Sequence, residues 1–84
     1  MHLLPVSESD CVYLYGERGV LIFGLKQSSR ASLYPVEDPK RKLKALMDHA
    51  KTRHGAEASF KRIHQKDEEG NHYVAVVVRK LDVS

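Results

Sequence analysis

The chain has 84 residues, 42% of them hydrophobic and 30% charged, with a net charge of +3 and a pI of about 9.1. That describes one small globular domain, 1–84, not a disordered chain, and it sits near the smallest size at which a core holds without metals, disulfides or a partner. A single cysteine, Cys11, excludes an intrachain disulfide, and no stretch approaches the roughly 20 apolar residues of a membrane helix.

Residues 1–6 are mildly apolar and read as a short edge strand, because Pro5 argues against a central position. The start also lacks the basic residues and the long apolar run of a signal peptide, so a reducing, cytoplasmic setting is expected. After a polar loop at 7–10, residues 11–15 and 20–25 are rich in β-branched and aromatic side chains, with Gly16 to Gly19 as turn chemistry between them. A β-hairpin is expected there, with Gly24 marking a bulge or a close approach. Residues 26–37 read as a Ser- and Pro-containing linker, with 32–34 briefly extended.

The stretch 38–55 is the clearest element. Asp38 is the expected N-cap, Pro39 sits where a missing N–H costs nothing, and Gly55 ends the run. Leu43, Leu46, Met47 and Ala50 recur at helical spacing and form one apolar stripe. Beyond it, 58–66 and 72–81 read as strands joined by the turn 67–71. The resulting order is β-β-α-β-β, an α+β fold with one antiparallel sheet of about four strands and a single amphipathic helix packed on one face. Its expected core is the helix stripe together with Val12, Leu14, Leu21, Phe23, Phe60, Val74, Val76 and Val78.

The last strand does not alternate. Tyr73, Ala75 and Val77 point one way and Val74, Val76 and Val78 the other, so both faces are apolar, as in a strand covered on both sides. One helix covers only one face. The second face needs the N-terminal hairpin folding over it, the linker, a homodimer or another protein partner, and Tyr73, Ala75 and Val77 are the residues expected at an interface with a second chain.

Charge is uneven along the chain. Six Lys or Arg and one Asp fall between 40 and 53, and a basic surface steers anionic partners. Lys40, Arg41, Lys44 and Lys51 on the helix, with Lys61, Arg62 and Arg79 on the last two strands, form the candidate nucleic-acid surface, and Tyr13, Tyr15 and Tyr34, if exposed, would add stacking platforms.

Five histidines invite a metal reading, but the chain carries no metal motif. His49 and His54 are five apart, not the i, i+4 of a helical zinc site. His64 and His72 become diagonal neighbours only if Lys66 pairs with His72. His54, in the last helical turn, suits a structural role at the helix C-terminus. Cys11 opens an apolar strand and reads as a small core residue, and Gly16 to Gly19 lacks the Gly-Lys-Ser/Thr ending of a phosphate loop. No catalytic residue, cofactor, metal or small-molecule substrate is therefore expected.

The expected function is non-catalytic binding to a macromolecule through an apolar sheet face or strand edge, as a small regulator or inhibitor of a protein. The element order is similar to that of several unrelated small regulators and virus- or plasmid-encoded inhibitors, which is a likeness of fold alone. The alternative is nucleic-acid binding by the basic helix 39–54 and the 58–81 hairpin.

Overall fold

A computed structural model describes residues 2–5, 10–16, 18–24, 30–55 and 58–79. Strands β1 (His2–Pro5), β2 (Asp10–Tyr15), β3 (Leu21–Gly24) and β4 (Arg30–Leu33) precede helix α1 (Pro39–His54), and β5 (Ser59–Lys66) and β6 (His72–Arg79) follow it. β2, β3, β5 and β6 form an open antiparallel sheet in the order β3-β2-β6-β5, with α1 packed on one face. The fold is α+β, as the sequence pattern implies. β1 and β4 add a separate two-stranded antiparallel ribbon.

The strand expected at 1–6 thus exists, but it pairs with β4 and not with the main sheet. The linker expected over 26–37 is corrected in part: the brief extension expected at 32–34 overlaps strand β4, which begins earlier at Arg30, and Val36 forms a bridge to His72. The loop expected at 7–10 and the residues beyond Arg79 lie largely or wholly outside the described residues. Gly24 pairs with Val12 in an unbroken ladder, so it marks no bulge.

α1 starts differently from the expected cap. Asp38 adopts φ 52° and ψ 62° and makes no side-chain capping bond, although its carbonyl still accepts from Lys42 N at 3.0 Å. Asp tolerates this left-handed region better than most side chains. At the other end Gly55 holds φ 78° and donates to the Lys51 carbonyl. Lys51, Arg53 and His54 place basic groups in the last turn, where they complement the helix dipole.

Two apolar clusters lie on opposite faces of the sheet. Leu46 and Ala50 of α1 are fully buried with Tyr13, Val74, Val76 and Val78, and Leu43, Met47 and Phe60 pack around them. Burying each Leu- or Val-sized side chain contributes about 1.5–3 kcal/mol. On the far face Val12, Leu14, Tyr73 and Ala75 are buried with Leu33 of β4, with Ile63 and Val77 packed against them.

Register explains both the hits and the misses among the expected core residues. β2 pairs with β6 as Tyr13↔Val76 and Leu14↔Ala75. Directly paired residues share a face, so Tyr13 goes under the helix, while Val12 and Leu14 turn away from it. Leu21 is a further correction: it lies on an edge strand and stays exposed. The side chain of Phe23 lies outside the described residues.

The two-faced β6 is a central strand, as its pattern implies, but its second face is covered from within. Leu33 has no exposed surface, and Tyr73 and Ala75 are buried with it. Tyr73 and Ala75 are thus covered from within the chain, while Val77 stays half-buried at the margin of this cluster.

Candidate functional site

Exposed apolar surface is found at the start of β3. Gly16 and Gly19 close a tight turn, with Gly16 N donating to Val20 O at 2.8 Å and Gly19, at φ 75°, donating to Gly16 O at 2.9 Å. Gly16 has no side chain where that of Ile22 lies, and a Cβ there would collide with the Ile22 Cδ1 methyl. The turn leads through Val20, 60% exposed, to Leu21 and Ile22 on the outermost described strand at 36% and 42% exposure. Leu21 pairs with Tyr15 and Ile22 with Leu14, so the two project to opposite faces. Among the described strands, only β2 pairs with β3. The opposite edge, β5, exposes Lys61, Arg62 and Lys66 along eight residues, and such charges block further strand pairing.

The basic residues expected on one surface divide. Lys40, Lys44, Lys51 and Arg62 surround a shallow groove between α1 and β5, floored by Leu43 and Met47 and also lined by Asp48. Arg41 instead joins Lys40 in a second groove with Asp38, His64 and His72. Lys61 pairs with Val77 and Ser59 with Arg79, which places Lys61 and Arg79 on the ribbon face. Tyr13 is fully buried and offers no stacking platform, and Tyr34 is half-buried. Tyr15 is half-buried, with Lys42 Nζ 5.6 Å from its ring centroid.

The histidines divide as well. Tyr13 Oη and His54 Nε2 are 2.7 Å apart, and both His49 and His54 meet the Tyr13 ring edge-on. Burial pushes the Tyr13 phenol up, against an opposing pull from Arg53. His54 therefore fastens the end of α1 to β2, a structural role. Lys66 does pair with His72, and the diagonal contact follows: His64 Nε2 lies 3.0 Å from His72 Nδ1. Among the described residues, no group of three or more His, Cys, Asp or Glu is close enough to hold a metal.

The β5–β6 turn contains a network that composition does not reveal. Asp67 Oδ1 accepts from Glu69 N at 2.9 Å and Asn71 N at 2.8 Å, while Oδ2 accepts from Asn71 Nδ2 at 3.1 Å and Tyr73 Oη at 2.9 Å. Burial alone would raise the carboxyl, but these four donors outweigh it and hold the pKa at about 2. Tyr73 is pushed up by burial and by donating to that carboxylate. The sequence signal is an Asp opening a turn, with Asn four residues on and an aromatic hydroxyl six residues on. The β3 surface has a signal too, a short uncharged strand following a two-glycine turn.

Among the described residues, no helix is long and apolar enough to cross a membrane. No protein family, curated protein or solved structure matches this chain.

Proposed function

We propose that this is a non-catalytic protein-binding module that docks through the outer edge of β3, the end strand among the described ones, and that its partner is a second copy of the chain. The observation that carries the reading is the exposure of Leu21 and Ile22 on the strand that ends the described sheet, and of Val20 just before it. The outer side of an edge strand offers backbone donors and acceptors, and apolar side chains on both of its faces add anchoring area.

A second copy fits for two reasons. Two identical strands pair antiparallel about a two-fold axis, so a single edge is its own complement. The charges also favour this edge, since β3 from Leu21 to Gly24 is uncharged while β5 would set Lys61, Arg62 and Lys66 against their own copies. A four-residue strand gives a small interface, so the association is weak and reversible. The half-buried Cys11 thiol suits a reducing, cytoplasmic setting. Mapping amide protection against concentration tests the reading, with protection expected to grow at 20–24 and to stay unchanged along β5.

A second reading is supported by the convergence of Lys40, Lys44, Lys51 and Arg62 on one groove, a spacing suited to phosphates of a nucleic-acid backbone. It lacks the buried tyrosines as stacking partners and takes second place. Its test is the salt dependence of binding.

A further inference from the structure

We propose that His64 and His72 form a bis-imidazole site for a divalent, imidazole-seeking transition-metal ion. The two residues sit at diagonal positions of the β5–β6 ladder, which pairs without interruption from Ser59↔Arg79 to Lys66↔His72. The hairpin is further fixed at this end, where Val36 N donates to His72 O at 2.8 Å. The two ring nitrogens are thus brought together by rigid backbone and not by a chance meeting of loops.

The distance suits chelation. Nitrogens 3.0 Å apart, each bound at the usual metal–nitrogen length of about 2.0–2.1 Å, subtend about 95° at a shared ion. That is a cis pair in octahedral or square-planar coordination, and a small rotation of the exposed His64 ring opens it to the tetrahedral angle. Without metal, one ring donates its N–H to the other. To bind, the donor ring moves that proton to its second nitrogen, so both facing lone pairs become available and no proton is lost from the pair. Water completes the coordination.

The groove around the pair contains Asp38, Pro39, Lys40 and Arg41. Lys40 and Arg41 oppose a cation, while the Asp38 carboxylate, which makes no cap bond, partly offsets them. The site therefore favours ions that form strong bonds to imidazole nitrogen, and excludes Mg2+ and Ca2+, which need oxygen ligands. It lies on the β5 side of the sheet, opposite the β3 edge, and is independent of the docking reading.

The experiment is a titration of tag-free, full-length protein with Zn2+ alone, followed by histidine ring resonances, with Mg2+ as control. His64 and His72 are expected to shift together and saturate at one ion per chain, while His49 and His54 stay still and Mg2+ does nothing. His64→Ala and His72→Ala should each weaken binding by at least the roughly 10–100-fold that loss of a mere outer-shell partner costs. His64 is exposed, so its variant should keep the wild-type fold, checked by circular dichroism. Lys40→Ala with Arg41→Ala should tighten Zn2+ binding. Equal shifts at all histidines, an unchanged affinity in His64→Ala, or a response of the pair to inorganic phosphate but not to Zn2+ would each overturn the proposal.

Discussion

The Tyr73 hydroxyl donates to Asp67 Oδ2 at 2.9 Å, and this bond ties the turn between β5 and β6 to the central strand that follows it. With the Asn71 and Glu69 donors, it holds the Asp67 carboxyl at about 2 instead of 3.8. A carboxyl depressed in the folded state adds stability that is complete above the unfolded value and is lost as pH falls through the folded one. Asp67→Asn should lower the melting temperature at neutral pH by several degrees, and the gap to wild type should close between about pH 4 and pH 2. Tyr73→Phe should raise the Asp67 pKa, read by carboxyl resonance titration. Wild-type titration of Asp67 near its ordinary value would contradict the network.

Leu33 tests the ribbon. It is fully buried against the face of β6 that helix α1 leaves uncovered, so Leu33→Ala should cost about 2–5 kcal/mol. The loss should appear in urea unfolding of the wild-type fold. A variant as stable as wild type would mean that β4 does not cover this face.

The helix side offers a graded pair. Leu46→Ala removes a fully buried side chain and should cost about 2–5 kcal/mol. Tyr13→Phe removes only the hydroxyl that meets His54 and should cost about 0.5–1.5 kcal/mol. Equal losses would contradict the packing of α1 across β2 and β6.

For the basic groove, any nucleic-acid binding should weaken with salt, and Lys44→Ala and Arg62→Ala should each flatten the slope by roughly one unit. Lys61→Ala and Arg79→Ala, on the other face, should leave it alone. A slope shared equally among all four would contradict the division of the basic set.

The helix was legible because Pro39, Gly55 and a four-residue stripe all specify one period. β5, β6 and their turn were legible from strand composition and the Gly70 turn signal. β4 was legible only as a brief extension at 32–34, since Arg-Ala-Ser-Leu contains no β-branched or aromatic residue and its pairing partners lie 25 to 31 residues away in β1. Composition likewise cannot set register, and a one-residue shift decides whether Tyr13 or Leu14 meets the helix. The β3 surface was hidden for a related reason: Leu21 looks like core until its strand is known to be the outermost one. The diagonal histidines were legible only as a condition on the pairing of Lys66 with His72, which the ladder meets.

Self-association through β3 is tested most directly by sedimentation from low micromolar to near-millimolar concentration, for wild type and for Ile22→Lys. Ile22 is exposed, so the substitution leaves the core intact. Wild type should move from a 9.5 kDa species toward twice that mass, at low and high salt alike, and Ile22→Lys should stay at 9.5 kDa throughout. A wild-type chain that remains at 9.5 kDa at the highest concentration, or a dimer that Ile22→Lys leaves unchanged, would contradict docking by the β3 edge.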